Sequence, residues 1–480
     1  MVHIGKAGEI SRRAFMRRSG QLAMMGAASG YALGLAGLSD AAAFASGDGY
    51  KALVCVFLLG GNDHANTLIP FDAANYARYS AIRGGLPANG GIAIDRAALT
   101  GQVLSPLEEQ TLTDDMQLAL APTMPRLKSR FDQGAMAPLL NVGPLIVPLT
   151  RAQFESENIT SFPRPAKLFS HNDQQSTWQS GRPEGSTSGW GGRIGDLAAS
   201  SNTNSMFTAI NATGNAVFLS GDEVQPYGIA PAGAIEIGAL GRNFYGSGAA
   251  SDALRSLITA QGNHVFAADY ATMNARSIQY SGFINDAISG VNLATDFGSG
   301  NSLASQLQIV ARLIAGRNQL GVKRQVFLVA TGGFDNHDGL IGTHEGLLAG
   351  VDFALDAFYR AMVEIGVADR VTTFTASDFG RTLSSNGDGS DHGWGSHHFV
   401  LGGAVRGGQF YGTAPTISVE DDGQVGQGRL LPTTSVDQYS ATLAKWFGVS
   451  DAEIPLVSPN IGNFDEPDLG FMKEEAAQAG

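Results

Sequence analysis

Val326-Phe327-Leu328-Val329-Ala330-Thr331-Gly332-Gly333-Phe334-Asp335-Asn336-His337-Asp338 decides the fold of this chain. Five consecutive apolar residues bounded by a glycine pair read as a strand buried on both faces. The polar residues that follow read as the loop at its carboxyl end. Asp335 and His337 stand at i and i+2, so in an extended segment both side chains emerge on one face, as a shared ligand requires.

The same pattern recurs on either side of this stretch. Leu53–Leu59 is a second apolar run and leads into Gly60-Gly61-Asn62-Asp63-His64-Ala65-Asn66-Thr67. Val371–Ala376 leads into Ser377-Asp378-Phe379-Gly380-Arg381-Thr382, with Asp391-His392-Gly393-Trp394-Gly395-Ser396-His397-His398 close behind. Ala137–Val142 and Phe399–Leu401 are further strand candidates. Between them lie helix-like segments, 124–131, 252–258, 302–320, 343–365 and 435–447. In the longest of these, Thr343 is an N-cap candidate, and Leu347, Val351, Ala354, Leu355, Phe358 and Met362 form one apolar stripe. This alternation predicts an α/β fold, a mostly parallel sheet with helices on both faces. Segments 84–120 and 200–250, rich in small residues and weakly periodic, are expected at the rim of the sheet. No solenoid repeat or linker divides the chain.

Composition narrows the function. The 480 residues carry 31 Lys and Arg against 44 Asp and Glu, a net charge of -13, with no basic block to displace counterions from a phosphate backbone. Nucleic-acid binding is therefore not expected. The single cysteine, Cys55, lies inside an apolar run. Intrachain disulfides, iron–sulfur clusters and thiolate zinc sites are thereby excluded, and Cys55 reads as an inert core residue. Residues 1–45 differ from the rest. Lys6, Arg12, Arg13, Arg17 and Arg18 oppose only Glu9 and Asp40, and a weakly apolar stretch from Leu22 to Leu38 precedes Ala43-Phe44-Ala45. This resembles a twin-arginine export signal, with residues 46–480 as the mature domain. The stretch is too short and glycine-rich for a stable membrane span.

In such a sheet chemistry belongs at the carboxyl ends of the strands. Three of those ends deliver Asp63, Asp335 and Asp378, and His337 and His392 stand near them. Histidine and carboxylate are together ligands for Zn²⁺, Mn²⁺ or iron, and separate loops can converge on one centre. The bland readings are an Asx-turn for Asp63, an ion pair for Asp378 with Arg381, and hydrogen-bonded loop histidines for His337 and His392. His64, His344, His397 and His398 read as structural or supporting. The polar run Leu168–Gly181, which holds His171, Ser176, Thr177 and Trp178, reads equally as a pocket lining or as a capped surface helix. No phosphate-binding loop, dinucleotide fingerprint, His-Glu-Xaa-Xaa-His or Gly-Xaa-Ser-Xaa-Gly elbow occurs.

Taken together, the twin-arginine start, Leu-Leu-Gly-Gly-Asn-Asp, the run through Trp178, Gly-Gly-Phe-Asp-Asn-His, Ser-Asp-Phe-Gly-Arg-Thr and Asp-His-Gly-Trp-Gly-Ser-His-His-Phe resemble the DUF1501 proteins, an exported family. That family is similar in turn to the alkaline phosphatase and sulfatase superfamily. The resemblance implies an alkaline-phosphatase-like sheet and a divalent metal, Zn, Mn or Ca, held by Asp63, Asp335, His337, Asp378 and His392. The last of these would precede an edge strand. It implies a hydroxyl nucleophile at a helix N-terminus, for which Ser176 and Thr177 stand with Ser170 and Thr67, and Arg381 is a candidate for binding a substrate anion. Where the superfamily often places a histidine after the carboxylate equated with Asp378, this chain has Phe379. The expected activity is metal-dependent hydrolysis of a phosphate or sulfate ester, with an anionic small molecule or glycan as substrate and the twin-arginine translocase as partner during export. The rivals are a non-catalytic exported binding or assembly protein on the same fold, and redox chemistry at a His/carboxylate iron site.

Overall fold

Strand β1, Lys51–Leu58, is buried along its whole length, and its side chains divide with period two. Ala52, Val54, Val56 and Leu58 enter one apolar cluster, and Leu53, Cys55 and Phe57 enter another. Such a strand is stable only between two covering layers, and both are present. On one side pack helices Pro125–Asp132, Ser302–Ala315 and Leu340–Glu364, and on the other helices Trp190–Ala198 and Val436–Phe447. Each large apolar side chain buried there contributes about 1.5–3 kcal/mol.

The computed structural model describes residues 49–474 except 215, 241–242, 244–245 and 262–263. The expected export segment, 1–45, lies outside the described residues. The other strands are β2 (Leu68–Pro70), β3 (Leu118–Leu120), β4 (Met136–Gly143), β5 (Ala209–Asn211), β6 (Tyr227–Ala230), β7 (Gly233–Ala234), β8 (Arg324–Thr331), β9 (Val371–Ser377), β10 (Ser396–Leu401) and β11 (Thr434–Ser435). The principal helices are α1 (Ala73–Ile82), α2 (Pro125–Asp132), α3 (His171–Ser180), α4 (Trp190–Ala198), α5 (Gly248–Thr259), α6 (Val265–Ser289), α7 (Ser302–Ala315), α8 (Leu340–Glu364) and α9 (Val436–Phe447).

The nine-stranded sheet runs β11-β4-β10-β9-β1-β8-β5-β6-β7. Strands β9, β1, β8, β5 and β6 are mutually parallel, and β7 closes the far edge antiparallel to β6. The expected mostly parallel sheet with helices on both faces is observed. Strand β10 differs from the expectation that an edge strand follows His392. It lies inside the sheet, antiparallel to both β9 and β4. Its direction brings its amino end, rather than its carboxyl end, to the loops after β1, β8 and β9. Leu58 pairs with Thr331 on one side and Ser377 on the other, so those three loops begin level with one another.

The small-residue segments sit at the rim as expected. Strands β2 and β3 form a separate pair, and β5, β6 and β7 extend the main sheet. Helix α8 begins earlier than its sequence suggested. Gly339, in the left-handed region at φ 58°, is the N-cap, and Asp388 takes the first amides, its side chain accepting from Gly339 and its carbonyl from Leu340. Thr343 therefore lies inside the first turn. Trp190 opens helix α4. Helix α6 was not anticipated at all, and at 25 residues it is as long as α8.

Candidate metal centre

Asp335 stands four residues past the end of β8, and three imidazoles surround it. His337 Nε2 lies 3.1 Å and His392 Nε2 3.3 Å from its Oδ1, while His171 Nε2 lies 3.4 Å from its Oδ2. His337 Nε2 and His392 Nε2 are 2.9 Å apart. Ligand atoms of His171, Asp335 and His392 all fall within 4.8 Å of one another. The group is open to solvent, Asp335 being 43% and His337 40% exposed.

The far nitrogen of each ring is held from behind. His171 Nδ1 lies 2.7 Å from Asp378 Oδ2, His337 Nδ1 3.2 Å from Asp391 Oδ1, and His392 Nδ1 2.8 Å from the Phe169 carbonyl. All three partners are acceptors, so a proton on Nδ1 is accommodated in each ring, and in that tautomer each Nε2 offers a lone pair to a cation. In that tautomer His171, His392 and Asp335 offer ligand atoms to one position, and His337 Nε2 lies beside it, 2.9 Å from His392 Nε2. Such an arrangement is repulsive until a cation enters it. The donor set therefore fits a divalent ion, and four N and O ligands match Zn²⁺ or Mn²⁺ better than oxygen-seeking Ca²⁺.

Local sequence explains the placements. His171 is the first residue of α3, after Ser170, whose hydroxyl donates to Asp173. Gly60, at φ 114°, lets the loop after β1 pass close to the Asp335 backbone, where an added Cβ would sit 2.5 Å from the amide nitrogen. Phe379 replaces the histidine that the resemblance led one to expect. It is buried and packs against both His171 and His392, with ring centroids 4.8 and 4.6 Å away. It is thus an apolar floor against which the two imidazoles tilt.

The charges respond to this setting. Burial favours neutral Asp335, but the hydrogen bond and charge of Arg381, with the nearby His337 and His171, more than offset it and hold the carboxyl below its ordinary value. The hydrogen bond to Asp378, with the charges of Asp378 and Asp335, raises His171 against a smaller effect of burial. Burial lowers His392, helped by His171 and Arg381. Asp391, despite burial, is lowered by its hydrogen bonds from Asn386 and His337.

Of the five metal candidates from sequence, Asp335, His337 and His392 come together at one point. Asp378 stands behind it, wholly buried, with Oδ2 accepting from His171 and from Gln175 Nε2 at 2.7 Å. Its Oδ1 has no hydrogen-bond partner. Asp63 is drawn elsewhere. Its Oδ1 caps the short turn His64–Asn66 through the amides of Ala65 and Asn66, and its Oδ2 takes Arg83 Nη2 at 2.5 Å and the Ser390 hydroxyl. Those four donors leave it nothing to offer a metal, as the Asx-turn reading foresaw.

Arg381 is also committed. Fully buried, it donates to Asp335 Oδ1 at 2.7 Å, to the Gly60 carbonyl and to both oxygens of Ser390. It pairs with Asp335, not with Asp378, and does not present its fork to an incoming anion. Ser176 and Thr177 lie on α3, but the hydroxyls turn back on the chain. Ser176 donates to the Pro183 carbonyl and Thr177 to the Asp173 carbonyl, the latter an i−4 bond.

Sequence reasoning missed His171 as a ligand candidate, and Asp391, which stands behind His337 as Asp378 stands behind His171. The signal for His171 was the serine before it, which marks a helix start and so a side chain aimed out of the helix end. We expect Asp378→Asn, which keeps the shape but loses the carboxylate behind His171, to weaken divalent-metal affinity about 10–100-fold. Isothermal titration with Zn²⁺ on the folded variant reads this directly, and unchanged affinity would remove Asp378 from the site.

Among solved structures, the chain is similar to Ps i-CgsB in complex with k-i-k-neocarrahexaose, at 10% identity and TM-score 0.36 over 88% of this chain and 78% of that one. It is similar to the lipoteichoic acid synthase LtaP from Listeria monocytogenes, at 8% identity and TM-score 0.32 over 86% and 77%. It is also similar to PsFucS1 sulfatase from Pseudoalteromonas sp., at 11% identity and TM-score 0.36 over 91% and 77%. Likeness at this level carries no chemistry across. No curated protein matches the chain in sequence. The matched family segment takes in the loops of Asp335, His337, Asp378 and His392 but neither the loop after β1 nor α3. Over residues 272–451 the chain matches the family described as "Protein of unknown function (DUF1501)", and there the resemblance seen in its motifs holds.

Proposed function

We propose that the chain is an exported, metal-dependent hydrolase of phosphate or sulfate esters. The observation that carries this reading is the convergence of three imidazole nitrogens on Asp335, with His337 and His392 at 2.9 Å and every far nitrogen anchored by an acceptor. His171, His337, His392 and Asp335 would hold Zn²⁺ or Mn²⁺, and the ion supplies Lewis-acid polarisation of an ester oxygen and a lowered pKa for water. Arg381 fixes Asp335 and balances its charge. Asp378, Asp391 and the Phe169 carbonyl keep the rings in the tautomer that exposes Nε2. The partial exposure of Asp335 and His337 leaves room for an anionic ester, free or on a glycan, to approach. Export by the twin-arginine translocase rests on residues 1–45. Among the described residues no helix is long and apolar enough to cross a membrane.

One observation favours the rival, a metal-holding binding protein without turnover: the hydroxyls of Ser176 and Thr177 are bonded to carbonyls of their own segment. Purified protein assayed on 4-nitrophenyl phosphate, its diester and 4-nitrophenyl sulfate with Zn²⁺, Mn²⁺ or Ca²⁺ separates the two. We expect metal-dependent turnover, falling at least ~100-fold in His392→Ala with circular dichroism unchanged. Stoichiometric metal with no turnover on any ester would give the rival.

A further inference from the structure

Helices α5 and α6 form a hairpin held by Asn274 Nδ2 on the Ile258 carbonyl and Gln261 Nε2 on Thr272 Oγ1. The base of α6 packs into the body through Ile284, Ala287 and Ile288. Its outer half does not. Phe266 is 79% exposed, Tyr270 63% and Met273 67%, and Leu257 and Val265 beside the turn are 73% and 71% exposed. Phe266, Tyr270 and Met273 stand at i, i+4 and i+7, so they line one face of the helix. That face continues inward to Tyr280, whose ring packs on Phe207 at 5.8 Å. Single exposed apolar residues are ordinary, but a continuous stripe of large ones is not.

We propose that this stripe is the interface between two copies of the chain, packed antiparallel through α6. Two features favour a second copy. The first is area. The five side chains leave on the order of 700 Å² of apolar surface, close to the ~800 Å² per partner of a standard stable interface. The second is self-complementary charge. Asp269 and Arg276 flank Met273 seven residues apart, on the same edge of the stripe. A two-fold axis near Met273 places Asp269 of one copy beside Arg276 of the other, as paired flanking positions do in antiparallel helix pairs. A lipid surface is disfavoured by the same residues. Membrane-seated helices carry Lys and Arg on the polar face, whereas the outer half of α6 carries Asp269 and Arg276 and the chain as a whole is at -13.

Sedimentation equilibrium of the full chain tests this. We expect a dimer of twice 50.0 kDa at micromolar concentration, and Phe266→Ser/Met273→Ser to raise its dissociation constant at least ~100-fold without changing the circular dichroism. Asp269→Arg alone should also weaken the dimer, and Asp269→Arg/Arg276→Asp should restore it. A monomer at all concentrations, a dimer indifferent to these changes, or flotation of the monomeric chain with neutral or anionic vesicles would overturn the proposal. Protection of the stripe in a monomer by residues 1–48, read as hydrogen exchange that rises on their removal, would overturn it equally.

Discussion

Lowering the pH from 7 to 5 is expected to remove most of the folding stability of this chain. His64, His344, His397 and His398 are all buried. Burial pushes His64 and His344 down to about 4, His398 to about 3, and His397 well below its ordinary value, with neighbouring positive groups adding to the effect. Asp63 acts the other way on His64 and His344 but is outweighed. In the unfolded chain each would titrate near ~6.5. The folded values are the lower ones, so the native state binds fewer protons, and the contribution is intact above ~6.5 and lost as the pH falls toward ~4. Between pH 7 and 5 His64, His344 and His398 each forfeit on the order of 2 kcal/mol, and His397 acts in the same direction. Four together approach the whole stability of an ordinary domain, about 5–15 kcal/mol. His171, whose value is raised, works in the opposite sense: its contribution is intact below ~6.5 and fades as the pH climbs through its folded value. One group does not balance four. Urea denaturation at pH 5, 6 and 7 checks this, and a flat profile would mean that the buried rings are already protonated or accessible to water.

The second large effect concerns Arg83 and Asp63, a fully buried pair at 2.5 Å. Removing one partner leaves an unpaired charge in the interior, so Arg83→Met should cost about 3–5 kcal/mol. Burial alone would raise Asp63, yet the charge of Arg83, with His344 and His64 nearby, drives it far below its ordinary value. The double change Arg83→Met/Asp63→Asn should cost clearly less than the sum of the single changes, because it removes both charges. It should also keep the metal stoichiometry of the parent, since Asp63 spends its oxygens on Arg83, Ser390 and two amides. Loss of the ion in that double variant, with folding retained, would return Asp63 to the list of ligands.

Much of this was legible because strands buried on both faces announce themselves as short apolar runs. β1, β4, β8 and β9 were each visible as such runs, and Asp335, His337, Asp378 and His392 followed from them. What sequence order could not show was which side chain faces which. Asp335 and Asp378 look alike one loop apart, yet one faces the cluster of imidazoles and the other stands behind His171, which enters from α3, more than a hundred residues away. Arg381 is three residues from Asp378 but crosses to Asp335. Helix α6 escaped notice for a different reason. Its buried residues, Ala271, Ser281, Ile284, Ala287 and Ile288, are small or confined to its last turns, and the large apolar residues of its outer half, Phe266, Tyr270 and Met273, are exposed.

The level ends of β1, β8 and β9 have a temporal consequence. The imidazoles and carboxylates that meet there come from chain positions 171 to 392, and none of the three loops can take its place before the central parallel pairings have closed. Such pairings carry high contact order and form late. If the proposed ion is held by His171, Asp335, His337 and His392, it cannot act as a seed for collapse, and its capture would mark the last step of maturation and serve as a stopwatch for it.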